Sequence, residues 1–140
     1  MVKIFVLSEY SANVPQVPGG GRVKIDDGPL YHLARIQALA KNEACLKAVT
    51  ERCRKDIANL FDSDLERVGK LIGCLKEGNY IDSEWCENGK TGVVACDAYR
   101  ICRVEEIPAT GRTMETEYYL KLAVGKTGNF VLMVSCHLSN

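Results

Sequence analysis

The sequence predicts an α+β fold: an antiparallel β-sheet with about three helices packed on one face. Apolar residues recur at helical spacing between Pro29 and Leu75. From Tyr80 onward, runs rich in Val, Ile and Tyr alternate with Gly and Pro, as strands and turns do. Helices first and a meander afterwards is the order that gathers helices on one side of a sheet. At 140 residues the chain has the length of one domain, read here as residues 1–140. Residues 1–25 read as a short strand plus a Pro/Gly loop.

Each element has its own signal. Val2 to Leu7 is short, β-branched and aromatic, hence a strand. Ser8 to Gly21 is a loop, broken by Pro15, Pro18 and Gly19-Gly20-Gly21. That glycine run lacks the G-K-[ST] or G-x-G-x-x-G context of a phosphate loop. Arg22 to Ile25 reads as a second short strand. Pro29 opens a first helix, with Leu33, Ile36, Leu39 and Ala40 on one stripe, Asp27 or Gly28 as cap, and an end near Lys41-Asn42. Ala44 to Val49 fits a strand or a helix. Thr50 caps a second helix from Glu51 to about Leu60, with Cys53, Ile57 and Leu60 inward. Ser63 and Glu66 are spaced as a capping box for a third helix, whose stripe is Leu65, Val68, Leu71, Ile72 and Leu75. Gly78-Asn79 is expected to end it in the left-handed conformation. Four strands follow: from Tyr80, Val93 to Val104, Glu117 to Val124, and Phe130 to Leu138.

Composition narrows the function classes. Lys plus Arg and Asp plus Glu both number 18, so the chain is not the basic, phosphate-gripping type that binds nucleic acid tightly and without specificity. The seven cysteines are odd in number and form no C-x-x-C. They read as reduced core residues of a cytoplasmic protein, not as a disulfide framework or a zinc site. Met1 to Leu7 is too short and weakly charged for a signal peptide, and no window approaches a membrane span. No cofactor, metal or membrane partner is expected.

The stretch Glu117 to Ser139 folds as a hairpin on Gly125 to Asn129, yet Tyr119, Lys121 and His137 interrupt its apolar run. Strand alternation places Tyr119, Lys121 and Ala123 on one face, and Val131, Met133, Ser135 and His137 together on the partner strand. The fold of the hairpin brings Tyr119 towards His137.

Several segments together resemble one family. They are Leu30 to Ala40 (L-Y-H-L-A-R-I-Q-A-L-A), the capped third helix, Gly78 to Tyr80 (G-N-Y), Cys96 to Arg100 (C-D-A-Y-R), Tyr118 to Leu122 (Y-Y-L-K-L) and Phe130 to Ser135 (F-V-L-M-V-S). In this order they resemble the MqsR toxins of bacterial type II toxin–antitoxin systems, over about Pro29 to Leu138; residues 1–25 are an N-terminal extension only with respect to this resemblance. The resemblance implies a RelE-like fold, metal-free cleavage of mRNA at GCU-like sites, and a cognate antitoxin or another bacterial protein as partner. The chain departs from the family at three positions: Ile81 and His137 stand where it carries lysines, and Cys96 where it carries a glutamine. Tyr119 is retained. The loop Ser83 to Val94 looks longer than the family's.

Metal-free RNA cleavage needs a proton acceptor for the 2′-hydroxyl, a cation for the phosphate and a donor for the leaving oxygen. These needs assign Tyr119 and His137 as catalytic, and Arg100, Lys121, Tyr99 and Lys90 as RNA- or phosphate-binding. Trp85, in the loop after Ser83, is a partner anchor or is buried against the sheet. Cys96 would need a nearby histidine or a helix N-terminus to act as a nucleophile. The alternative is the same scaffold without catalysis, encoded by a phage or other mobile element and occupying a host protein complex.

Overall fold

The computed structural model describes residues 3–15, 23–89, 91–106 and 109–139. The elements are β1 (Phe5–Val6), β2 (Val23–Ile25), α1 (Leu33–Ala40), β3 (Leu46–Ala48), α2 (Glu51–Phe61), α3 (Leu65–Gly73), β4 (Tyr80–Asn88), β5 (Gly92–Glu106), β6 (Thr113–Val124) and β7 (Val131–Leu138). The expected glycine run Gly19 to Gly21, Arg22, Pro108 and Lys90 lie outside the described residues. The α+β class stands: the described residues form three α-helices and a seven-stranded sheet, ordered β2-β4-β5-β6-β7-β3 with β1 beside β5. The sheet is mixed, however, and not antiparallel throughout. β3 runs parallel to β7, and β1 runs parallel to the start of β5. Both precede the meander in the chain, so neither is held to the antiparallel sense that a tight hairpin turn imposes. No helix among the described residues is long and apolar enough to cross a membrane.

The helices show where local signals decide and where they do not. Thr50 caps α2 as expected: its hydroxyl oxygen accepts from the Cys53 amide at 3.1 Å. Cys53, Ile57 and Phe61 are buried, while Leu60 is half-buried. α3 is capped by Asp64 rather than Ser63, through the Glu66 amide at 3.0 Å. Asp62 and Ser63 both take positive φ, 53° and 60°, to turn the chain out of α2, and this removes Ser63 from the capping position. Asp64→Ala should therefore lower stability by about 1 kcal/mol in urea unfolding. Ser63→Gly should not, because glycine suits that backbone.

α3 also ends earlier than expected, at Gly73, with Cys74 still right-handed. Gly78 and Asn79 instead form a separate 3₁₀ turn, Glu77–Asn79. α1 starts at Leu33, and its N-cap His32 makes no side-chain cap. The segment before it is held from β5. The Asp97 carboxylate accepts the Leu30 amide at 2.9 Å, the Tyr31 amide at 3.1 Å and the Ser83 hydroxyl at 2.6 Å. Burial pushes the Asp97 carboxyl above its usual range, against the pull of these donors.

α1 and α3 meet at Gly69, where an added Cβ would lie 2.5 Å from the Ala40 carbonyl oxygen. Gly69→Ala would gain up to about 1 kcal/mol in helix propensity. The backbone clash, about 1–3 kcal/mol, outweighs it. Thermal unfolding should show a lower Tm for Gly69→Ala, whereas Gly73→Ala, with open space around it, should raise or leave it.

The helices pack on the face presented by Tyr118, Leu120, Leu122 and Cys136, which share one buried cluster with Ile36, Ile57 and Leu71. Phe61 of α2 stacks on Tyr118 at 5.7 Å between centroids. The N-terminal segment is stitched into the sheet. The Leu7 amide donates to Val93 O at 2.9 Å, and the Glu9 amide to Val124 O at 2.8 Å. Tyr10 covers Trp85, with ring centroids 6.1 Å apart.

Candidate active site

On the opposite face of the sheet, β6 and β7 pair Tyr119 with His137 and Lys121 with Ser135. The next pair is Leu122 with Met133, so Val134 is an extra residue, a β-bulge in β7. The bulge breaks the simple alternation expected for β7. Met133 turns to the helices and is fully buried, while Ser135 and His137 stay beside Lys121 and Tyr119. It also anchors α2, since the Thr50 hydroxyl donates to Val134 O at 3.0 Å. The first turn of α2 is thereby held at the edge of β7.

The two expected catalytic residues meet. The Tyr119 and His137 rings stack with centroids 5.3 Å apart and planes 29° apart, and both residues are half-buried. His137 Nδ1 lies 2.7 Å from its neighbour's carbonyl, Leu138 O. A carbonyl can only accept, so Nδ1 carries the proton and Nε2 is the nitrogen left to exchange one.

The expected phosphate-binding residues divide. Lys121 is on the same face but is only 3% exposed and lies 2.7 Å from Glu84. Ala98, between the two strands and opposite Lys121, is small enough to let the ammonium reach over β5. Burial draws the Lys121 ammonium downwards, but the Glu84 hydrogen bond and neighbouring groups outweigh it and hold its pKa above the ordinary value. Lys24 joins this network through Asp82 and lies 3.7 Å from Glu84. Arg100 pairs with Tyr119 in register, is exposed, and lies 3.4 Å from Glu117.

Tyr99 does not belong to the site. It is adjacent to Arg100, so alternation sends it to the helix face, where it is buried with its ring 5.9 Å from Tyr80. It borders a different cavity, with Tyr31, His32 and Glu77. Lys90 lies outside the described residues.

A cavity of about 340 Å³ opens over the Tyr119–His137 pair. Its walls come from three places: Thr50, Arg52 and Asp56 at the start of α2; Cys86 and Glu87 on β4; and Tyr119, Lys121, Ser135 and His137 on the hairpin. The sequence reading missed the α2 contribution, because nothing in T-E-R-C-R-K-D distinguishes one solvent-facing arginine from another. Trp85 lies on β4, not in a loop, and is 2% exposed, so it packs the sheet instead of waiting for a partner. The segment read as a long loop is the paired end of β4 and β5.

Cys96 is fully buried, and burial raises its thiol pKa well above the ordinary value, which opposes thiolate chemistry. Cys53, Cys86 and Cys136 are buried as well, but Cys74 and Cys102 are exposed, so the cysteines are not all core residues. Among the described residues, the ligand-type group with donor atoms within 4.8 Å is Glu43, Asp64 and Glu66, all exposed. Asp64 already caps α3 there. The chain matches no family model, no curated protein and no solved structure.

Proposed function

We propose that the chain is an endoribonuclease that cleaves mRNA without a metal, as the toxin of a type II toxin–antitoxin pair with an MqsR-like, RelE-like fold. The observation that carries this reading is the Tyr119–His137 stack on the wall of a cavity of about 340 Å³. The chemistry uses the substrate's own 2′-oxygen as nucleophile. His137 Nε2 takes the 2′-hydroxyl proton as the 2′-oxygen bonds to phosphorus. The bond from phosphorus to the 5′-oxygen breaks, and that oxygen takes a proton from the Tyr119 hydroxyl, which solvent restores. The products are a 2′,3′-cyclic phosphate and a 5′-hydroxyl. A histidine suits the first step because an imidazole nitrogen that carries no proton can accept one while the other nitrogen keeps its hydrogen bond.

A second reading is supported by the charge of the cavity. Among the described residues its wall carries two cations, Arg52 and Lys121, against two carboxylates, Asp56 and Glu87, and Lys121 is already met by Glu84. A balanced surface of this kind suits a protein partner as well as a polyanion. In this reading the fold is kept as a binding module and the catalysis is lost. Incubating purified chain with RNA in excess EDTA separates the two. Cleavage ending in 2′,3′-cyclic phosphates supports the ribonuclease. Intact RNA, with protein shown to be folded, moves the assignment to the binding module.

A further inference from the structure

The ribonuclease reading leaves one requirement unmet by the residues the sequence singled out. A scissile phosphate carries a full negative charge, and more builds on its oxygens as the 2′-oxygen attacks. Lys121 has little to offer it, since its ammonium is buried and held by Glu84 at 2.7 Å. Arg100 lies 3.4 Å from Glu117 and is not among the residues around the cavity. Arg52 differs on both counts. It lines, from the first turn of α2, the same cavity that His137 and Tyr119 line. Among the described residues it makes no hydrogen bond or ion pair, although Asp56 stands one helical turn away on the same cavity wall.

We infer that Arg52 is the phosphate-binding residue of this site, and that α2 is the element that delivers it. The inference rests on the ribonuclease reading. A guanidinium suits the role because it is always charged and offers paired N–H donors that match two phosphate oxygens. It sits where it can do so because the Val134 bulge and the Thr50 cap fasten the start of α2 to β7. The arrangement puts the proton-transfer pair on the sheet and the anion-holding group on a helix, with the substrate between them.

The test uses the full chain, wild type and the variants Arg52→Ala and Arg52→Lys. Two things are measured: cleavage of an RNA oligonucleotide in EDTA, and binding of the same sequence with a 2′-deoxy residue at the cleaved position, which cannot react. Circular dichroism confirms that each variant is folded; Arg52 is exposed, so both should be. The expected result for Arg52→Ala is a fall of about 100-fold in kcat/KM, the scale of losing one charge-stabilising group. Binding of the deoxy probe should weaken in parallel, with lysine restoring part of it through charge alone. If Arg52→Ala cleaves and binds like the wild type, the assignment of Arg52 is overturned while the ribonuclease reading survives. If the wild type does not cleave but binds the probe in an Arg52-dependent way, the ribonuclease reading fails and the phosphate site stands. If it neither cleaves nor binds, both fall.

Discussion

His137→Ala should reduce RNA cleavage by about 10²–10⁴-fold, the range in which a positioned general acid or base contributes. The fold should survive, since His137 is half-buried near the end of β7 and packs chiefly against Tyr119. Tyr119→Phe keeps the stacked ring and removes only the hydroxyl, so it isolates the proton-donating role from the packing one. It should impair cleavage with little change in binding of an uncleavable RNA. The pH profile gives a further check. With Nδ1 held by Leu138 O, Nε2 is the nitrogen that faces the substrate, so any activity left in His137→Ala should not follow the wild type's pH profile. A His137→Ala variant that cleaves as well as the wild type at every pH would remove this residue from the mechanism. A Tyr119→Phe variant with full activity would leave the tyrosine as a platform for a base and send the search for the acid elsewhere.

Much of this arrangement could be read from the residues, and the reasons are local. Thr50 and the stripes of α2 and α3 are short-range signals, and they placed both helices. Strand alternation put Tyr119 and Lys121 on one face, and the hairpin brought His137 opposite Tyr119. What escaped depends on contacts distant in sequence. The parallel pairing of β3 follows from where its chain meets β7, 85 positions later at Leu46–Val131, a register no local pattern carries. The Val134 bulge has no marker in V-L-M-V-S-C-H, yet it turns Met133 away from Ser135 and holds α2 beside the site. Tyr99 follows a simpler rule: it is adjacent to Arg100, and adjacent strand residues cannot share a face. Asp97 has no local signal in C-D-A-Y-R that marks it as a buried acceptor. In the structure it fastens the start of the first helical segment, through Leu30 and Tyr31, to the sheet.

Lys121 was expected to meet phosphate, and the structure gives it a different charge to meet. Lys121 and Glu84 are 3% and 1% exposed, so each is costly to leave alone. Removing one partner of such a pair strands a buried charge, at about 3–5 kcal/mol. Lys121→Met should therefore unfold at much lower urea concentration than the wild type. Glu84→Gln should be milder, because the amide oxygen still accepts a hydrogen bond from the Lys121 ammonium. The double variant Lys121→Met with Glu84→Leu removes both charges together and should recover most of the loss, since apolar replacement of a whole buried pair is often neutral.

The sign of the pH dependence follows from the raised Lys121 pKa. Its stabilisation is fully present below the ordinary lysine value of 10.5 and is lost as pH climbs through the higher folded value. The wild type should thus lose stability at strongly alkaline pH more steeply than the double variant. Activity then separates structure from chemistry. If the refolded double variant still cleaves RNA, Lys121 serves to hold β6 against β4, and the phosphate charge is met elsewhere, at Arg52. If the double variant is stable but inactive, the buried ammonium reaches the phosphate after all, and Glu84 must release it when substrate binds.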